Sequence, residues 1–224
     1  MTASQPITGR EFGEAEGTED WRVLGDGAHA FFRTESLTVA AALVTAIAGL
    51  EGAEADPPDI DVRQDGVTVR LITVAGGYFG MSRRDVEVAR QISAIARGAG
   101  LSADPAAVQS VLVIPGAPDT AAVMPFWRAV LGYEPRTDSP DEDLVDPHDR
   151  GPAFWFEQMD EPRADGGGAI HIAVWVPYDH AEARLAAALA AGGRVVRDTA
   201  APAWWTLADA AGNEADVASI ATRD

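Results

Sequence analysis

The chain contains no cysteine. Disulfides, thiolate metal ligands and thiol nucleophiles are therefore excluded. It contains no lysine either: all 17 basic residues are arginines, which removes Schiff-base chemistry. Positive charge is scarce against 35 acidic residues, and the formal net charge is −18. A surface this acidic repels a phosphate backbone, so nucleic acid is not an expected partner. No apolar run approaches the ~18 residues of a membrane span, and no basic-then-apolar leader opens the chain. Neither a membrane partner nor a signal peptide is expected, and with the missing cysteines this points to a cytoplasmic protein. What remains is 224 residues of 47% hydrophobic content, enough for one large domain or two ordinary ones with packed cores.

The clearest order lies in the second half. An apolar run over 169–176 follows Gly166, Gly167 and Gly168 and closes at Pro177. It reads as a buried strand and carries His171. A similar run over 108–115 has Gln109 where the other has His171. Each run is followed by a turn, a helical pattern (120–131 and 181–191), glycine, and an extended piece reaching Arg136 or Arg197. Asp146, Pro147 and Gly151 then precede a strand at 153–159, as Asp209 and Gly212 precede one at 214–220. One strand–helix–three-strand unit thus recurs at about 62 residues, and internal repetition sets architecture.

Upstream, residues 1–18 are polar and aperiodic, and a frayed tail is expected there. Residues 21–33 read as a hairpin turning at Gly25, Asp26 and Gly27, with His29 near the exposed start of its second strand. Ser36 caps a helix to about Leu50, along which Leu43, Ile47 and Leu50 share a face. Residues 61–73 alternate as two strands turning at Gln64, Asp65 and Gly66, and 75–80 read as a flexible turn. Ser82 caps a helix through about Arg97, with Asp85 in its first turn. Residues 98–107 are the linker.

Over about 18–98, the carriers Trp21, Phe31, Phe32, Pro58, Asp59, Ile60, the strand 67–73 and the run from Gly80 to Asp85 resemble pterin-4a-carbinolamine dehydratases. The resemblance implies an α+β domain that oligomerises, and a lyase that removes water from a hydroxylated pterin by acid–base catalysis. That family's signature is a His-His-Pro loop plus a histidine following a threonine. Here the loop reads Asp56, Pro57, Pro58, and the later pair reads Thr73, Val74. An imidazole of pKa ~6.5 gives and takes protons at neutrality; an Asp at ~3.9 does so poorly, and proline and valine not at all. Asp56 is the one candidate catalytic residue left, and it requires burial to raise its pKa.

Over about 107–221, the run Phe126 to Gly132, Asp146 with Pro147, Gly151 with Pro152, His171, and Asp209 to Asn213 resemble the vicinal oxygen chelate superfamily, glyoxalase-like branch. The resemblance implies two βαβββ units cupped around one pocket. In metal-using members it implies a divalent ion held by the first and last strands of each unit. Matched by position, the ligands are Gln109, His171 and Asp216; the fourth corner falls on Trp155, which cannot ligate, with Glu157 two residues on and on the same strand face. The implied pocket is lined by Gln109, Trp155, Glu157, His171, Trp205 and Asp216, and the indoles of Trp155, Trp175, Trp204 and Trp205 offer flat apolar surface. The expectation is a two-domain α+β protein. Its C-terminal pocket serves as a small-molecule binding site or a glyoxalase- or dioxygenase-like active site, beside a degenerate dehydratase-like domain, in a homo-oligomer. The alternatives are a divergent but active dehydratase and a non-catalytic oligomeric scaffold.

Overall fold

The computed structural model describes residues 5–51, 57–149, 151–161, 170–208 and 214–220. The first domain runs β1 (Pro6–Ile7), α1 (Gly9–Gly13), β2 (Arg22–Leu24), β3 (Gly27–Arg33), α2 (Leu37–Ala48), β4 (Asp59–Arg63), β5 (Gly66–Leu71), β6 (Thr73–Ala75), β7 (Tyr78–Ser82) and α3 (Arg83–Gly98). Its main sheet has the order β2-β3-β5-β4, and β1-β7-β6 form a smaller one. Alternation along β3 and β5 sends Ala28, Ala30, Phe32, Val67, Val69 and Leu71 to one side. There they meet Leu43 and Ile47 of α2 and Val86, Ala89 and Ile92 of α3.

Two expectations need correction here. The stretch taken for a frayed tail is folded from residue 5. Thr8 and Glu11 form a reciprocal capping box on α1, β1 pairs with β7, and Phe12 is fully buried. One turn of helix is too short to show a period, so a single buried phenylalanine does the anchoring unannounced. The segment 75–80 is a hairpin, β6 to β7, turning at Gly76 and Gly77, both at positive φ, where glycine carries no steric penalty.

The second domain runs β8 (Ser110–Ala117), α4 (Thr120–Leu131), β9 (Glu134–Pro135), β10 (Asp143–Val145), β11 (Ala153–Trp155), β12 (Glu157–Gln158), β13 (Ile170–Trp175), α5 (Ala181–Ala190), β14 (Arg194–Arg197), β15 (Trp204–Ala208) and β16 (Glu214–Ala218). These make one sheet, β14-β15-β16-β13-β8-β11-β10-β9, with β12 beside β8. β8 and β13 run antiparallel at the centre, and each has the last strand of its own unit parallel beside it. The order therefore reads alike outward in both directions, as two copies of one unit should. Both helices cover the same face. Val113, Met124, Leu144 and Phe154 cluster with α4, and Val174, Leu185, Leu207 and Val217 with α5.

The other, helix-free face meets the first domain. Leu24 and Phe31 form a core with Val108, Trp175 and Ala218, against which Trp204 packs. Gly25 is required by this approach: a Cβ there would lie 2.7 Å from the Trp175 indole. Arg22 forks onto Asp179 at 2.7 and 3.1 Å. The Arg70 guanidinium lies 2.7 Å from Asp59, 2.9 Å from Asp149 and 3.7 Å from Asp26. Arg136 stands 4.5 Å over the ring of Phe79. The linker is stitched alongside β3, with Arg33 N–H donating to the Ser102 carbonyl and Asp104 N–H to that of Phe31. This contact explains why β3 is buried along six consecutive positions: each of its faces meets a different core. It also corrects His29, expected near an exposed start. His29 is 8% exposed and hydrogen-bonds Asp26 at 2.9 Å, because the second domain covers its side of the sheet.

Candidate functional site

Directly opposed residues in a sheet share a face, and neighbours along a strand alternate. His171 opposes Ile114, and Ala173 opposes both Leu112 and Asp216. Thr206 opposes Asp216, Ala153 opposes Leu112, and Glu157 opposes Gly116. The register thus brings Trp155, Glu157, His171, Thr206 and Asp216 to the helix-free face. Trp175, Ala218 and Ser110 occupy one end of it, where the first domain docks. His171 and Glu157 lie toward the other end.

At the centre, His171 Nε2 lies 3.3 Å from Asp216 Oδ2, with side chains 16% and 12% exposed. Asp216 Oδ1 and Thr206 Oγ1 are buried and have no hydrogen-bond partner among the described residues. A buried polar atom left unpaired costs about 1–3 kcal/mol, so two on adjacent strands call for an explanation. The hydrogen bond to Asp216 raises the His171 pKa above its ordinary value; burial opposes this, and the charges of Asp216, Glu157 and Glu214 add to it. The sign of the consequence follows by linkage. The pair's contribution to stability is whole below the unfolded histidine value of about 6.5, and it is lost as pH rises through the higher folded value. Thermal unfolding measured across that interval should show the wild type losing stability relative to Asp216→Asn; parallel curves for the two proteins would contradict the pairing.

Two residues expected in the pocket lie on the opposite side. Gln109 is exposed, and its Oε1 accepts from the Arg184 guanidinium of α5 at 3.3 and 3.4 Å. Trp205 opposes Val217 and packs in the cluster under α5. Trp204 and Trp205 are consecutive in one strand and must face opposite ways; it is Trp204 that turns to the helix-free face. Trp155 keeps its place there and donates from Nε1 to Glu142 Oε2 at 3.4 Å. Asp56 and the turn 209–213 lie outside the described residues. Thr206 escaped sequence reasoning, since its place beside Asp216 depends on the β15–β16 register.

The donor set does not fit the divalent ion that the glyoxalase resemblance implies. Gln109 is turned to α5, His171 Nε2 and Asp216 Oδ2 pair with each other, and an indole nitrogen only donates. Among the described residues no three His, Asp or Glu side chains converge as a metal site would require.

In the first domain, the matched polar residue Thr73 is committed to structure. Its hydroxyl donates to Asp85 Oδ2 at 2.8 Å, which also accepts from Ser82 N–H at 2.7 Å and Ser82 Oγ at 2.9 Å. Val74 beside it is half exposed.

Comparison with known proteins agrees with this division. A model of the glyoxalase-like domain matches residues 111–218, and one of pterin 4 alpha carbinolamine dehydratase matches residues 5–95. A Nocardia farcinica protein, named provisionally as a pterin-4-alpha-carbinolamine dehydratase, is 38% identical over 78 residues, which cover 35% of this chain and 80% of that relative. No solved structure matches the chain. A matching family model and this relative together place the chain in the pterin 4 alpha carbinolamine dehydratase family, with a glyoxalase-like domain joined to its C-terminal side.

Proposed function

We propose that the helix-free face of the second domain binds a small molecule, with the His171–Asp216 pair handling a proton of that ligand, and that the first domain is a non-catalytic support. The carrying observation is the pair itself, half of whose carboxylate is buried without a donor among the described residues. When the imidazole is neutral, its Nε2–H donates to Asp216 Oδ2, which leaves Nδ1 as the accepting atom. A pKa raised above the ordinary histidine value by the Asp216 hydrogen bond favours the protonated ring, which can then give a proton to the ligand. The dehydratase chemistry is not assigned to this chain, because the matched positions Pro57 and Val74 carry no titratable group and Asp56 is an acid where an imidazole is needed.

The test is a small-molecule library screened by thermal shift on the full chain. Ligands are expected whose shift disappears in both His171→Ala and Asp216→Asn. If every hit stabilises the variants as well as the parent, the ligand is elsewhere and the reading fails. Dehydration of 4a-hydroxytetrahydropterin is expected at background rate; a clear rate would return the chemistry to the first domain.

A further inference from the structure

We infer that the ligand of the helix-free face is an organic cation carrying N–H donors, of the amidinium or primary ammonium class. The inference rests on the site just proposed and adds its chemical selectivity.

Three features carry it. The first is the unpaired acceptor. Asp216 is 9% exposed, its Oδ2 is engaged by His171, and its Oδ1 has no donor among the described residues. A carboxylate oxygen only accepts, so whatever completes it brings N–H or O–H groups. Thr206 Oγ1, 1% exposed and equally unpaired, stands on the adjacent strand and serves either way. The second is the sign of the charge. Glu157 shares the face and makes no hydrogen bond or salt bridge among the described residues. The arginines on the same side, Arg194 and Arg197, sit on the outermost strand and are exposed, two strands from Asp216. Among the described residues, an anion here would meet Asp216 and Glu157 with no arginine on their own or the adjoining strands. The third is the flat surface. Trp155 belongs to this face, held by its bond to Glu142, and an indole face attracts a cation. A bare metal ion is the other cation to consider, but it needs converging protein ligands that the described residues do not supply. An organic cation needs one good carboxylate and brings its own geometry.

Benzamidinium, benzyl alcohol and benzoate make a matched set of cation, neutral and anion probes. Each is titrated into the full chain at constant ionic strength and followed by ligand-observed NMR saturation transfer. Benzamidinium is expected to bind about tenfold tighter than benzyl alcohol, with benzoate weakest, and to lose about tenfold in Glu157→Gln and in Asp216→Asn. Should Asp216→Asn prove misfolded by circular dichroism, Glu157→Gln on its partly exposed strand carries the result alone. Equal affinity for the three probes overturns the cation inference, and the proposed site survives it. So does preference for benzoate, or failure of all three while library hits that depend on His171 persist. Benzamidinium binding that both variants leave unchanged marks general attraction to the acidic surface, which also overturns it.

Discussion

Trp175→Ala should separate the unfolding of the two domains. The indole is 6% exposed and sits between Leu24 and Phe31 of the first domain and Val108 and Ala218 of the second. It lies so close to Gly25 that no side chain would fit there. Truncating a buried tryptophan costs about 3–5 kcal/mol, from lost apolar burial plus the cavity left behind. Here the loss is concentrated at the seam. What would remain across it is the Arg22–Asp179 fork, Arg70 with Asp149, Arg136 over Phe79, and a thinner apolar contact that includes Ile220 against the first domain's core. The carboxylate of Asp149 is 58% exposed, so solvent screens that pair and it contributes little alone. Calorimetry of the parent should give one transition or two closely overlapping ones. The variant should give two resolved transitions, the lower displaced by roughly 6–20 °C at ~2–4 °C per kcal/mol. A single transition at the parental temperature would mean that the seam is held by its charges and not by the indole.

The second large effect is expected at Asp85→Ala. Asp85 is 1% exposed, and one of its oxygens accepts from Ser82 N–H, Ser82 Oγ and Thr73 Oγ1. Removing it strips the start of α3 of its capping box and leaves three donors inside the fold with one partner fewer. It also removes an anion from the helix's positive end. Together these should destabilise the first domain by about 3 kcal/mol, with Asp85→Asn milder because an amide oxygen still accepts. Urea unfolding followed by tryptophan fluorescence measures both. If alanine and asparagine cost the same few tenths, the network is ornamental and Thr73 is free for another role.

Much of the architecture could be read from residue order. The repeat of strand, helix and three strands past residue 107 appears in the fold as the mirrored order about β8 and β13. The hairpin at Gly25 to Gly27, the helix after Ser36 and the helix after Ser82 stand where their turn and cap residues place them. These are local signals: a glycine tolerates a turn, a serine caps a helix, and apolar spacing chooses a period. The same logic failed for residues 5–17, where a single helical turn and a two-residue strand leave no period to read.

The site was legible in part. His171, Asp216, Trp155 and Glu157 reach one face because strand parity and the repeat both predict it. Gln109 and Trp205 do not, and for different reasons. Gln109 precedes the first paired residue of β8, so the repeat names its counterpart but not its direction, and Arg184 draws it toward α5. Trp205 adjoins another tryptophan, and alternation says that one of the two faces inward without saying which.

By itself the sequence determined the two domains, much of their element order, and the exclusion of thiol and Schiff-base chemistry, because all of these reside in residue type and local spacing. Tertiary structure alone decided which side of each strand is covered, that the first domain's sheet lies across one end of the helix-free face, and that His171 and Asp216 meet while half of that carboxylate stays unpaired. Those outcomes depend on strand register and on contacts between residues far apart in the chain, 157 positions at Arg22 and Asp179, and no short stretch of chain encodes them.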